Sequence, residues 1–481
     1  MLSMRKSLVI RGILGSIAVV LAVLGWWNHP PSLAAETANV YLPLVMRNFP
    51  PPPTVFGAHV VEFTDPTLIQ LAEEARVSWV RLSAFDWSKI EPNPPVNGVH
   101  TYDWSSVPED SLRNIAASHM YAIAVVLNTP AWAQKYTGVT CGPPAQDKLN
   151  DYAAFLQAVV QKYGTSPYNV RYWELGNEPD IDPDLLNGSW DLGFGCWGDD
   201  EDPYYGGGYY ADMLKVVYPA IKAVDANAQV LNGGLLLDCD PADPDCTPDD
   251  YKLPAKFFEG ILHNGGGDYL DIVNFHGYPY FSGGLIVDET HPGWDQRGGV
   301  VLGKAAFLRE VMQQYRVDKP LLDTEGALLC PEWNQTDCAP PTTDYEDAKA
   351  NYVVWLYTRA LADDFMGSVW YTLDGGGWRN GGLIEGTSNP TSAYDAFKFI
   401  ATELAGAEYT GQPSGLDSAL RGYIFRKQDG TSVWVVWAVD NAEHAMTLPE
   451  GYTQVYDEQG NPYSVTGNTL SVNDPRYIEV P

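Results

Sequence analysis

Val170-Arg171-Tyr172-Trp173-Glu174-Leu175-Gly176-Asn177-Glu178-Pro179-Asp180 reads as a short buried strand that ends abruptly at a carboxylate. Aromatic and aliphatic side chains fill its first half. Pro179 has no N–H to give to a ladder, so pairing stops beside Glu178. A carboxylate at the C-terminal end of a strand holds a catalytic position if the fold is a β/α barrel. Two questions follow: whether the chain around this strand supplies a barrel, and whether a second carboxylate meets the first.

Outward from this strand, apolar strand-like runs alternate with amphipathic helical stretches. On the N-terminal side the pattern predicts strands over Val55 to Val61, Trp79 to Phe85 and Tyr121 to Asn128. Helices follow them over Pro66 to Arg76, which Asp65 can cap, Asp110 to Ser118, and Leu149 to Tyr163. On the C-terminal side, strands at Gln229 to Leu236, Ile272 to Tyr278, Pro320 to Glu325 and Gly367 to Leu373 alternate with helices beginning near Tyr209, Ala255, Gly303 and Tyr345. A last helix spans Ser392 to Leu404. Eight strand-then-helix units predict an α/β fold with a parallel sheet closed as a TIM (β/α)8 barrel over 55–405. An open doubly wound sheet is the alternative, but no glycine-rich phosphate loop follows the first strand.

The long connections all run from strand to helix, and all six cysteines fall on them. In a barrel those loops build the catalytic face. The spacing favours local pairs Cys239–Cys246 and Cys330–Cys338, with Cys141 and Cys196 left to bridge two loops. No Cys-x-x-Cys pair supports zinc. From about Ala407 the helical spacing ends and short strands separated by turn residues predict a small β-sandwich-like domain over 406–481, with Trp434 and Trp437 in its core.

Among 481 residues, 29 Tyr and 16 Trp supply flat apolar faces suited both to a large core and to sugar rings. A formal net charge of -32 repels phosphate backbones, which argues against a nucleic-acid partner and favours neutral substrates. Arg5, Lys6 and Arg11, the apolar run Ile13 to Trp27, and the small residues of Ser32-Leu33-Ala34 read as a secretory signal peptide over 1–34. The protein is then secreted and free of stable membrane insertion once the signal is cut. An uncleaved N-terminal anchor is the alternative. Pro50 to Pro53 make 35–54 a stiff linker.

Glu178 ends the fourth predicted strand and Glu325 the seventh, which places both carboxylates on one barrel face. Such a pair is what glycoside hydrolysis uses, one to protonate the leaving oxygen and one to attack. Trp173 to Pro179 resembles the fourth-strand signature of clan A retaining glycoside hydrolases, and Pro320-Leu321-Leu322-Asp323-Thr324-Glu325-Gly326 resembles their seventh-strand nucleophile segment. Family 39, the β-xylosidase group, and family 5 are the most similar. The resemblance implies Glu178 as acid/base, Glu325 as nucleophile, and a carbohydrate substrate. It further implies binding roles for Arg81, Asn177 at the sugar 2-hydroxyl, His276, Tyr278 as a donor to Glu325, and Trp370 as an aromatic floor. Asn128 and Trp132 after the third strand resemble family 39 cleft residues. At Gly176 those families often carry Trp, so this chain departs from the pattern there.

Arg81 could instead neutralise Glu174, which shares strand parity with the acid. The loop aromatics Trp190, Trp197, Tyr204, Tyr205, Trp294, Trp333 and Trp378 either stack sugars or pin their loops. Asp238, Asp240, Asp243, Asp245 and Asp249 make a calcium site or a solvated turn. The reaction calls for no cofactor, and no spaced His-Asp set for a metal converges on the strand ends. A barrel that only binds carbohydrate is the reading from another class.

Overall fold

The computed structural model describes residues 53–186, 188, 193–244, 252–331, 338 and 340–481. The expected signal peptide, nearly all of the linker, and the expectations for Trp190, Trp333, Asp245, Cys246 and Asp249 lie outside the described residues.

Eight strands form one parallel sheet: β1 Phe56–His59, β2 Trp79–Asp86, β3 Tyr121–Leu127, β4 Tyr172–Asn177, β5 Gln229–Gly234, β6 Val273–Gly277, β7 Leu321–Gly326 and β8 Gly367–Trp370. Each hydrogen-bonds to its sequence neighbour, β1 also pairs with β8, and bridges from Leu231 to Ile272 and Leu235 to Phe275 join the β5 and β6 segments. The sheet therefore closes. Helices follow each strand in turn: α1 Pro66–Glu74, α2 Glu109–Ala117, α3 Leu149–Tyr163, α4 Gly207–Val224, α5 Leu253–His263, α6 Val300–Tyr315, α7 Thr343–Ala362 and α8 Ser392–Leu404. The Asp65 carboxylate accepts the Thr67 N–H at 2.8 Å and caps α1, whose first residue is Pro66.

The barrel interior changes character within two residues on most strands. Trp79, Ile123, Tyr172, Leu231, Ile272, Leu322 and Val369 make one buried apolar layer. Gly57 completes it, because a Cβ there would lie 2.9 Å from that of Trp79. This is the filled plug of a barrel, and truncating a side chain such as Trp79 to Ala costs about 3–5 kcal/mol. One pleat further along, the residues of the same facing include His59, Arg81, Glu174, Asn274 and Thr324, all buried. A dry plug thus carries a polar floor on the C-terminal side of the barrel.

That side also carries the staples. Cys141–Cys196 ties the β3–α3 loop to the β4–α4 loop, and Cys330–Cys338 closes a short ring within the β7–α7 loop. By loop-closure entropy, a ring spanning 55 residues is worth about 4 kcal/mol. Among the described residues, no helix is long and apolar enough to cross a membrane.

Beyond α8, Glu408–Gly411, Leu420–Arg426, Ser432–Ala438, Arg476–Val480 and Gln454–Tyr456 build a five-stranded sheet in that order, and His444–Thr447 pairs with Thr469–Val472. Every pairing in the two sheets is antiparallel. Val436, Ala438, Met446, Leu470 and Ile478 form a small core between them. The opposite face of the larger sheet presents Tyr423, Val435 and Trp437 to the helix layer of the barrel, where Trp437 stacks on Trp355 of α7 at 5.6 Å. Trp434 is half-buried against the smaller core. The described residues from 53 to 481 fall in one compact unit.

Candidate active site

The opening strand breaks its own alternation at the site. Gly176 has φ +104°, and Glu178 has φ +47°. A Cβ on Gly176 would meet nothing within 4 Å, so backbone conformation and not room accounts for glycine where an aromatic was expected. The Glu178 N–H donates to the Gly234 carbonyl at 2.8 Å. Gly233 and Gly234 leave the space this turn needs: a Cβ on the first would lie 2.9 Å from the Pro179 ring, and on the second 2.1 Å from His276 Nε2.

His276, at the end of β6, lies between the two carboxylates. Its Nδ1 is 2.8 Å from Glu178 Oε1 and 3.5 Å from Glu325 Oε2, and these contacts place an oxygen of each carboxylate within 4.8 Å of the other. Burial pushes the imidazole down to about 4, against the opposing pull of Glu325, so the ring is neutral near pH 7. With Nε2 buried and unpartnered, all of its hydrogen bonding passes through Nδ1.

The two carboxylates have different company. Glu325 accepts from Arg81 Nη1 and from the Tyr278 hydroxyl. Glu178 is buried with the neutral His276 beside it, and burial pushes it up to about 7, although Arg81 pulls the other way. Arg81 answers both sequence readings at once. Its Nε and Nη2 donate to Glu174 at 2.7 and 2.9 Å, and Nη2 also donates to Asn177 Oδ1 at 2.7 Å. Glu174, fully buried, takes a further N–H from Gly234 at 3.0 Å. Burial opposes the Arg81 charge, but its ion pairs with Glu174 and Glu325 outweigh that and hold the proton more tightly than usual.

Glu178, His276 and Glu325 also count as a three-donor metal set by spacing. Both Glu325 oxygens already receive donors, and the Arg81 charge opposes a second cation there. The arrangement fits proton transfer and nucleophilic attack better than metal ligation.

A cleft of about 760 Å³ opens over this pair. Arg81, Asn177, Glu178, Tyr278 and Glu325 line it, and His276 stands behind Glu178. Asn177 Nδ2 donates to the Gly193 carbonyl at 3.1 Å. Three expected binding residues are placed elsewhere. Trp370 is fully buried, donating to the Gly381 carbonyl at 2.7 Å and packing against Tyr352 of α7. Side chains alternate along β8, so Trp370 faces the helices, and the aromatic that reaches the cleft is the next residue, Tyr371, whose ring lies 4.7 Å from that of His59. Asn128 donates to Asp86 at 2.8 Å, and Trp132 donates to the Glu91 carbonyl at 2.9 Å, edge-on to Trp87. Both stand outside the cleft lining.

No protein-family model and no curated protein matches the chain. Solved structures do. A family 39 glycoside hydrolase from the gut symbiont Bacteroides cellulosilyticus WH2 superposes with a TM-score of 0.64 at 19% identity, covering 89% of this chain and 81% of that one. A GH39 β-xylosidase from Caulobacter crescentus gives 0.56 at 15%, covering 89% and 96%. The catalytic domain of GH30 xylanase C from Talaromyces cellulolyticus gives 0.55 at 15%, covering 90% and 98%. The chain shares the fold of these glycoside hydrolases.

Two charged residues escaped the sequence reading. Asp180 is fully buried and accepts the Leu236 and Leu237 N–H groups, both at 2.9 Å; burial pushes it up to about 7. Lys304 of α6 is buried too, and its Nζ donates to the carbonyls of Leu236 at 2.6 Å and His276 at 2.9 Å. Together they clamp the exit of β5 to β4 and β6. The position of Asp180 just past Pro179 was a visible signal, whereas Lys304 looked like any helix lysine. Of the loop aromatics, Trp294 and Tyr205 are buried, Trp197 and Tyr204 are half-buried, and Trp378 is exposed in the cleft. In the acidic loop Asp238 is exposed, whereas Asp240 and Asp243 are buried and Asp240 pairs with Arg297 at 2.6 Å, so these two carboxylates do not belong to a solvated turn.

Proposed function

We propose that the protein is an exported retaining glycoside hydrolase that cleaves β-glycosidic bonds in neutral oligo- or polysaccharides. The observation that carries this reading is the pair Glu178 and Glu325, with oxygens within 4.8 Å of each other and opposite surroundings. Carboxyl groups about 5 Å apart suit double displacement, whereas inversion needs wider spacing to admit a water.

In the first step the Glu325 carboxylate attacks the anomeric carbon while Glu178 gives its proton to the glycosidic oxygen. The C–O bond to the leaving sugar breaks, and a glycosyl ester forms on Glu325. In the second step Glu178, now ionised, takes a proton from water whose oxygen attacks the same carbon, and Glu325 is released. A carboxyl raised to about 7 holds the proton for the first step near neutral pH and accepts one in the second. Arg81 and Tyr278 orient the nucleophile, and Asn177, itself oriented by Arg81, reaches the sugar 2-hydroxyl. The cleft suits a neutral sugar because the Arg81 charge is committed to two carboxylates. Export follows from the N-terminal pattern and agrees with the disulfides Cys141–Cys196 and Cys330–Cys338, since such bonds persist in oxidising surroundings.

A 2-deoxy-2-fluoro glycosyl fluoride tests the assignment. The adduct should appear by mass spectrometry on the peptide carrying Glu325; labelling of any other residue overturns it.

A further inference from the structure

Six large apolar side chains are exposed among the described residues, and two of them line the catalytic cleft: Val61, 73% exposed, and Trp378, 45% exposed. Val61 follows β1 and Trp378 follows β8, neighbouring strands of the barrel. The mouth of the cleft therefore carries a wet apolar patch on one side. Scattered apolar residues need no explanation, but two that converge on a functional cleft point to a ligand that covers them.

The indole is held for this. Gly377, Arg379 and Asn380 all have positive φ, at 61°, 48° and 65°. Non-glycine residues in that region are costly and persist only where their surroundings hold them. Here the surroundings are extensive. The Arg379 carbonyl accepts the Cys330 N–H, the Asn380 side chain donates to the Cys338 carbonyl, and Lys349 and Tyr345 of α7 donate to the Asn380 carbonyl. The loop is thereby buckled to the Cys330–Cys338 ring. The Arg379 guanidinium carbon stands 4.4 Å from the centroid of the indole ring, and Tyr278 meets the indole nearly perpendicular at 5.4 Å. A rigid aromatic that remains nearly half exposed is a prepared stacking surface and not a core residue.

Its position says which part of a substrate it meets. Strands β8 and β1 stand across the barrel from β4, which carries Glu178. The proton donor must lie beside the leaving group, so the patch lies on the glycone side, beyond the sugar that is attacked. We propose that Val61 and Trp378 form a second glycone subsite, which stacks the neutral sugar next to the one bonded to Glu325, so that the enzyme acts on chains and releases units of two sugars or more. This rests on the hydrolase reading above and deepens it.

Glycosyl fluorides isolate the effect, because their leaving group is a single atom and only the glycone varies. The β-xylosyl, β-glucosyl and β-mannosyl fluorides are compared with their two-sugar counterparts, using wild type, Trp378→Ala, Trp378→Leu and Trp378→Phe. Wild type should prefer a two-sugar fluoride in kcat/KM. Ala should cut that preference roughly three- to tenfold, as the loss of one aromatic stacking partner predicts. Leu, which keeps apolar bulk without a flat face, should fall with Ala, and Phe should keep most of the preference. Wild type that turns over the fluorides without preferring two sugars overturns the subsite alone, as do variants that lower one- and two-sugar rates by the same factor. Inertness towards every fluoride overturns the hydrolase reading and the subsite with it.

Discussion

At the end of β4 the carboxylate of Glu178 meets a neutral imidazole and little else; at the end of β7 the carboxylate of Glu325 meets a guanidinium and a phenol. Both are buried, and their nearest described oxygens lie within 4.8 Å. The same functional group thus sits in two different environments because different neighbours approach it. His276 touches both sides, but being neutral it adds no charge to either. Arg81 reaches Glu325 directly and acts on Glu178 only at longer range, against a larger effect of burial. Division of labour between identical groups is a property of what surrounds them.

The largest effects should come from exchanging each carboxylate for its amide. With Glu325 as the proposed nucleophile, Glu325→Gln should lower kcat/KM by about 10⁴-fold or more on every substrate. Glu178→Gln should cost about 10²- to 10⁴-fold on oligosaccharides, but far less on glycosyl fluorides, whose leaving ion needs no proton. Initial rates on both substrate types check this. If the two variants lose activity in the same pattern, the roles are not divided as described.

Arg81→Met attacks the β7 side. It leaves Glu174 buried and unpaired as well as freeing Glu325, and should lower unfolding stability by about 3–5 kcal/mol in a denaturant titration. Arg81→Lys keeps a charge without the planar fork and should fall between wild type and Met. Tyr278→Phe removes one donor from Glu325 and should reduce kcat/KM about ten- to a hundredfold while the fold stays intact by circular dichroism.

The smallest effect isolates the β4 side. Because burial raises Glu178 from 4.5 to about 7, the folded protein binds more protons than the unfolded chain between those values. Its contribution to stability is therefore lost as pH rises through that window. Glu178→Gln should show a higher Tm than wild type at pH 8 and almost none of that gain at pH 4. In wild type, kcat/KM on oligosaccharides should fall as pH rises through about 7, where the acid loses its proton. An equal Tm difference at both pH values would show that Glu178 is not held protonated by burial.

Much of the fold could be read from the chain because periodicity is a local property. The switch between strand and helix spacing marks all eight units, and Asp65 before Pro66 marks a helix start. The site was legible where a residue ends a strand. Glu178, Glu325, Arg81, Asn177, His276 and Tyr278 all come together. On strand eight the cleft aromatic lies one position past the Trp370 that the resemblance implies, because the pleat turns Trp370 to the helices and Tyr371 inward. Asn128 and Trp132 bond to Asp86 and Glu91, partners contributed by the end of β2 and the segment after it, which no local pattern announces. Lys304 was invisible for a similar reason, since its acceptors are the backbone carbonyls of Leu236, just past β5, and of His276 in β6.

By itself, then, the sequence determined the number and order of the units and the halt of β4 at Glu178 before Pro179, because strand, helix and proline preferences act over a few residues. Only the tertiary structure decided that burial pushes Glu178 up, which of two adjacent aromatics sees the cleft, and that Trp378 stays exposed while Trp294 is buried. Those outcomes depend on desolvation, on the facing of each pleat, and on charges brought together from strands far apart in the chain.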